Sequence, residues 1–217
     1  MVQISPSILA SDFSRLGEDV KDICGRGIDY LHIDVMDGSF VPALSYGQCV
    51  VEGLRKCTDA VFDVHLMVVE PLRYIEEFKS IGADIITVHY EACKDLASTL
   101  KKIKEVGCKA GLSIKPGTDV SVIKPYLNLV DMVLIMSVEP GLGGQKYIEA
   151  STDRIKEART IIQESGLEID VEVDGGVCLD NLKMILEAGA NVIVSGSSIY
   201  RGDIEKNTSE FMDIMNY

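Results

Sequence analysis

Two short stretches, His32 to Gly38 (HIDVMDG) and Asp63 to Met67 (DVHLM), each set a histidine two positions from an aspartate and near a methionine on an apolar, strand-like run. The chain has three histidines, and two of them are here. On a β-strand the side chains at i, i+2 and i+4 share a face, so His32, Asp34 and Met36 point one way and Ile33 and Val35 the other. Asp63, His65 and Met67 repeat the arrangement. A third apolar run, LEIDVEVDGG, ends in Asp174, which can close a site of two imidazoles and two carboxylates. Such a set binds one divalent metal ion, its borderline hardness suiting zinc, iron(II), manganese or cobalt, and leaves two carboxylates able to move protons. Asp63 lies deeper on its strand than His65, as a ligand or as a hydrogen-bonding group below the site. Asp37 is assigned to the turn with Gly38, and His89, beside Tyr90 and Glu91, to a structural role.

Three glycine-rich stretches come later: EPGLGGQ (Glu139 to Gln145), DGG (Asp174 to Gly176) and SGSS (Ser195 to Ser198). Glycine lets the backbone approach an anion closely, and free N–H groups at a helix start can hold it. Three such loops after consecutive strands point to a phosphate. Met36, Met67 and Met136 are either ordinary core fillers or an apolar wall that keeps water from a charged intermediate.

The elements that must position these residues alternate along the chain. Strands are expected at Gln3 to Ile8, Tyr30 to Val35, Val61 to Leu66, Ile85 to Tyr90, Lys109 to Ile114, Met132 to Ser137, Ile169 to Asp174 and Val192 to Ser195. Helical patterns follow each one, among them LGEDVKDIC, PLRYIEEFKSI with proline in its first turn, DLASTLKKIKEV and STDRIKEARTIIQES. Glycines in CGRGIDY, SIGADII, EVGCKAG, ESGLEID and EAGANVI end helices and hand over to the next strand. Eight strand–helix repeats predict an α/β fold, a parallel (β/α)8 TIM barrel forming a single catalytic domain over residues 1–217. A doubly wound open sheet is weaker, because no GxGxxG turn follows the first strand. In a barrel the C-terminal strand ends form the active face. Ser7, His32, Asp34, Met36, His65, Met67, Met136 and Asp174 all fall at or near such ends, on strands one, two, three, six and seven.

Composition agrees with one well-filled core: 217 residues, 47% of them hydrophobic. Lysine and arginine number 21 against 34 acidic residues, a formal charge of -13, which repels nucleic acid and anionic membrane. An anionic substrate must therefore be gripped locally, by backbone N–H groups or a metal. Six cysteines show no ligand-like spacing and read as reduced thiols. With no basic-then-apolar leader pattern at the N-terminus and no apolar run of membrane-spanning length, the expectation is a soluble, cytoplasmic protein.

The motifs PSILASDF, HIDVMDGSFVP, DVHLMV, GADIITVH, MSVEPGLGGQ, VDGGV and GSSIY, in this order over nearly the full length, resemble the ribulose-phosphate 3-epimerase family. The resemblance implies a (β/α)8 barrel and an isomerase of carbohydrate metabolism in the pentose phosphate pathway. It implies His32, Asp34, His65 and Asp174 as metal ligands, and Asp34 and Asp174 also as the catalytic acid/base pair. Substrate-binding positions follow as Ser7 at the sugar end, Gly141, Leu142, Gly143, Gly144, Gly175, Gly176, Gly196 and Ser197 in the loops that hold the phosphate, and His65 and Asp174 besides. Met36, Met67 and Met136 match its sulfur cap. The expected reaction is C3 epimerisation of D-ribulose 5-phosphate to D-xylulose 5-phosphate. Two bases on opposite faces move the proton, and the metal stabilises the enediolate. The expected partners are a small sugar phosphate and further copies of the chain in a homo-oligomer.

Ala43, Lys115 and Glu139 stand where that family commonly has asparagine, and Leu142 where an aromatic is more usual. These departures around the pocket rim and lid leave D-allulose 6-phosphate as an alternative substrate. A non-catalytic sugar-phosphate binder is a further alternative, although it has no need of two aspartates and a metal. Related lyases and decarboxylases carry Asp-x-Lys-x-x-Asp on strand three. Here Asp63, Val64, His65, Leu66, Met67 and Val68 lack the lysine and the second acid.

Overall fold

The strand segments are buried on both faces, because one face meets the helices while the other turns into the barrel. A computed structural model describes residues 2–215. Among them lie eight strands: β1 Gln3–Pro6, β2 Tyr30–Met36, β3 Val61–Met67, β4 Ile85–His89, β5 Lys109–Ile114, β6 Met132–Met136, β7 Asp170–Asp174 and β8 Val192–Ser195. The helices are α1 Leu16–Cys24, α2 Gln48–Arg55, α3 Ile75–Ser80, α4 Leu96–Glu105, α5 Ser151–Ser165, α6 Leu179–Glu187, α7 Ser197–Tyr200 and α8 Ile204–Met215. All strand pairs are parallel, in the order β1-β8-β7-β6-β5-β4-β3-β2. A parallel bridge between Ser7 and His32 joins the two ends into a barrel. The (β/α)8 expectation holds.

The outward faces of the strands pack on the helices in one continuous apolar layer, for example Ile33, Val64, Ile86, Leu112, Val133, Val173 and Ile193 against Val20, Leu54, Phe78, Leu100, Ile155 and Leu182. Inside the barrel the residues are stratified. Tyr30, Val61, Ile85, Met132 and Val192, near the strand starts, form an apolar floor. Above them sit the fully buried polar groups Ser5, His32, Asp63 and Glu172. At this floor end Arg159 donates to the carbonyls of Gly189 and Ile169 and to the side chain of Asn191, tying α5 to the entries of β7 and β8.

Several strand ends shift from expectation by one residue, and two departures are larger. β1 stops at Pro6, because the Ser7 side chain accepts from Leu9 N–H and starts a 3-10 turn over Ile8–Ala10. After β5 the chain forms a 3-10 run, Val120–Leu129, in place of an α-helix. Pro125 within it supplies no N–H and disfavours a regular α-helix. The five handover glycines, Gly27, Gly82, Gly107, Gly166 and Gly189, all have positive φ. Pro71 opens a 3-10 turn ahead of α3. No helix among the described residues is long and apolar enough to cross a membrane, and all six cysteines are free.

Candidate active site

The register of β2 on β3 sets His32 opposite Asp63 and Asp34 opposite His65. Inward-facing neighbours on the two strands therefore meet in a tight group. His65 Nδ1 lies 3.1 Å from Asp34 Oδ1, and His32 Nε2 lies 3.3 Å from the same oxygen. The two imidazole nitrogens are 3.4 Å apart. From β7, Asp174 Oδ2 reaches to 3.9 Å from both. One donor atom from each of the four residues lies within 4.8 Å of every other. Four ligands at metal bonds of about 2.0–2.1 Å sit about 3.3 Å apart around a tetrahedral ion, so the donor set fits a divalent cation with only a small inward move of Asp174.

Hydrogen bonds below the group orient the ligand atoms. His32 Nδ1 is 2.7 Å from Asp63 Oδ2. A carboxylate only accepts, so His32 carries its proton on Nδ1 and turns Nε2 to the other three residues. Asp63 is thus the hydrogen-bonding group beneath the site, and Ser5 donates to it at 3.3 Å. Asp34 is held from three sides: the Ser7 hydroxyl donates to Oδ2 at 2.6 Å, its N–H donates to the Tyr46 hydroxyl, and its carbonyl accepts from Ser45.

The electrostatics mark this point as one that stabilises positive charge. Burial disfavours a charged His32, yet the charges of Asp34 and Asp63 hold its pKa well above the ordinary value. Burial alone would raise Asp34, but His32 and His65 draw it well below the usual carboxylate range. Asp174, whose side chain is 17% exposed, is pushed up to about 6 by burial and then by the negative charge of Asp34. The two carboxylates have been driven apart, as a base and an acid require. Sequence reasoning missed Glu172, which burial and the charge of Asp63 hold well above its usual range. Its place two residues before Asp174 in DVEVD was the available signal, since that spacing turns both side chains into the barrel. His89 also proves to be part of this network: its Nε2 is 2.8 Å from His65 Nε2, the two rings meeting edge to edge with their planes 29° apart.

Above Asp34 and Asp174 opens a cavity of about 850 Å³. Met36, Met67 and Met136 line it, as do Ser7 and every glycine-loop position singled out in the sequence: Gly141, Leu142, Gly143, Gly144, Gly175, Gly176, Gly196 and Ser197. His32 and His65 lie fully buried below. Ala43 and Leu142 are at the wall, and Leu142 is 64% exposed. Lys115 instead places its ammonium 4.0 Å over the Phe40 ring. The Glu139 carbonyl, with that of Leu142, accepts from Gln145 and folds the loop after β6 on itself. Arg201, just past α7, is a cavity-lining cation that the sequence reading did not single out.

The turn after β7 shows how closely these loops are packed. Gly176 has φ +66°, and a Cβ there would lie 2.3 Å from the Tyr147 backbone nitrogen. Gly176→Ala is therefore expected to cost about 1–3 kcal/mol of stability, read by denaturant unfolding, and to raise KM as the loop is displaced.

Comparison with known proteins agrees with this architecture. Residues 3–200 match the model of the Ribulose-phosphate 3 epimerase family. The ribulose-phosphate 3-epimerase of Bacillus subtilis (strain 168) is 47% identical over 212 residues, covering 97% of this chain and 98% of the relative. The chloroplastic ribulose-5-phosphate-3-epimerase of Arabidopsis thaliana is 47% identical over 199 residues, covering 91% and 71%. Among solved structures, 3-keto-L-gulonate-6-phosphate decarboxylase from Vibrio cholerae O1 biovar El Tor str. N16961 superposes with a TM-score of 0.72 at 13% identity, over 100% of this chain and 97% of that one. That last likeness speaks for the barrel alone. With the match running through the strands that carry His32, Asp34, His65 and Asp174, the chain belongs to the ribulose-phosphate 3-epimerase family of isomerases.

Proposed function

We propose that this isomerase interconverts D-ribulose 5-phosphate and D-xylulose 5-phosphate by moving the C3 proton between Asp34 and Asp174. The observation that carries the reading is the convergence of both carboxylates, with unequal pKa values, at the floor of a cavity whose opposite wall is made of glycine loops. Inversion at carbon needs proton removal on one face and return on the other. Asp34, the stronger acid, starts ionised and takes the proton; Asp174, the weaker, gives one back. The two exchange roles in the reverse direction.

His32, Asp34, His65 and Asp174 would hold one divalent ion, and such an ion supplies Lewis-acid stabilisation of the negative charge that develops on the substrate oxygens. The donor set admits zinc, iron(II), manganese or cobalt. Ser7, bonded to Asp34, keeps that carboxylate turned to the substrate. Met36, Met67 and Met136 cover the reacting carbon with apolar, polarisable surface and exclude water. Backbone N–H groups of Gly144, Gly176, Gly196 and Ser197 are suited to the phosphate.

Arg201 adds the charge that those amides lack, at a wall where the overall charge of -13 opposes a phosphate dianion. A charge-assisted hydrogen bond contributes about 1.5–3 kcal/mol. Arg201→Gln is therefore expected to raise KM for the sugar phosphate about tenfold or more, with kcat within twofold. Steady-state kinetics against ionic strength reads this.

The direct experiment is proton NMR of D-ribulose 5-phosphate in deuterated water with metal-loaded protein. Loss of the C3 proton signal and growth of the C3 epimer support the proposal. Neither change with any of the four metals would refute it and leave a sugar-phosphate binder. The roomy cavity and the small Ala43 at its wall favour a second reading, D-allulose 6-phosphate. A higher kcat/KM for that ketohexose phosphate would select it.

A further inference from the structure

We propose that His89 and Glu91 are positioning residues that hold His65 in a single tautomer, with the Nδ1 lone pair facing Asp34 and Asp174, and thereby set how tightly the four-residue site holds a divalent ion. This inference rests on the metal-site reading above and adds two residues that are not ligands.

Glu91 accepts at Oε1 from the Lys115 N–H at 2.8 Å and from the Thr118 hydroxyl, so the loop after β5 fixes the carboxylate in place. Its Oε2 lies 3.3 Å from His89 Nδ1. An ionised carboxylate can only accept, so the His89 proton is on Nδ1 and its Nε2 is left with a lone pair. That lone pair faces His65 Nε2 at 2.8 Å, and two imidazole nitrogens at this distance must share one proton. His65 Nε2 therefore donates, and His65 Nδ1 is left as an acceptor 3.1 Å from Asp34 Oδ1.

His89 has no freedom to break this chain. It is fully buried, with the His65 ring edge to edge at a centroid distance of 4.9 Å and the Phe40 ring tilted against it at 4.8 Å. The result mirrors the other imidazole, where Asp63 sets His32. Once His32 has released its Nε2 proton, both histidines present lone pairs to the point that the two aspartates share. Reversing the chain at Glu91 would put a proton on His65 Nδ1, where an ion must bind.

The test is Co²⁺ affinity by competition with a chromophoric chelator, beside the melting curve of each metal-free variant. His89→Leu, which removes the acceptor, is expected to weaken binding about 10–100-fold. His89→Gln, whose amide carbonyl can accept from His65 Nε2–H, should recover most of the loss. Glu91→Lys, a donor in place of an acceptor, should weaken binding about tenfold or more. In the zinc-loaded wild type, ¹⁵N NMR should show coupling across the His65–His89 hydrogen bond with the proton on His65, a measurement that needs no variant. A folded His89→Leu that binds Co²⁺ within twofold of wild type would overturn the inference, as would a proton found on His89 Nε2. Wild-type protein that takes up no Co²⁺ would instead sink the metal-site reading, and this one with it.

Discussion

Asp174→Asn is expected to lower kcat by about 10²- to 10⁴-fold, the contribution of a positioned proton donor or acceptor, while the protein stays folded and still binds sugar phosphate. The asparagine keeps the shape of the side chain and one oxygen toward His32 and His65, but it has no proton to exchange with carbon. Stopped turnover with retained binding, read by kinetics and by titration calorimetry, is the expected pair of results. Unchanged turnover would remove Asp174 from the acid/base pair. In the metal-free protein, where burial and the charge of Asp34 push Asp174 up to about 6, a proton competes with the ion for this carboxylate below that pH, so uptake of the ion should weaken as pH falls through 6.

Stripping the metal with a chelator is expected to abolish epimerisation and to destabilise the fold together. Lewis-acid stabilisation contributes several kcal/mol, so the rate should fall on the order of 10³-fold. At an ion concentration of 100 Kd, binding adds about 2.7 kcal/mol, which for a chain of this length is about 5–10 °C in Tm. Re-addition of the ion should restore both. Affinity should also fall as pH falls, because His32 holds a proton above its ordinary range and must give up the one on Nε2 to bind. A chelator that leaves rate and Tm unchanged would refute the four-ligand assignment.

Most of the barrel was legible because its signal is local. The alternation in YLHIDVM and VFDVHLM appears as inward and outward faces of β2 and β3, and α1 and α5 span the segments expected. Asp37 serves the turn as expected, accepting from the N–H groups of Ser39 and Phe40. That the helical segment after β5 takes the 3-10 form is not legible in the spacing of its apolar residues, which suits either helix type. What local pattern cannot hold is which residue of one strand faces which of the next. That His89 reaches His65, and that Glu172 lies under His32 at 3.5 Å, follow only from the stagger of β3 on β4 and the closure of the barrel. Tyr46 is a related case. Nothing in its neighbourhood in the chain says that its hydroxyl will accept the N–H of Asp34 twelve residues earlier.

The apolar floor of Tyr30, Val61, Ile85, Met132 and Val192, with Arg159 tied in beside it, gives this protein two ends with separate duties. Substitutions in the floor change how firmly the chain holds its shape without touching the cavity, and substitutions at the open wall positions Ala43 and Leu142 change the cavity without touching the floor. A lineage carrying such a barrel can keep its stability at one end while the cavity wall changes at the other, so drift at Ala43 or Leu142 leaves the floor beneath Asp34 and Asp174 intact.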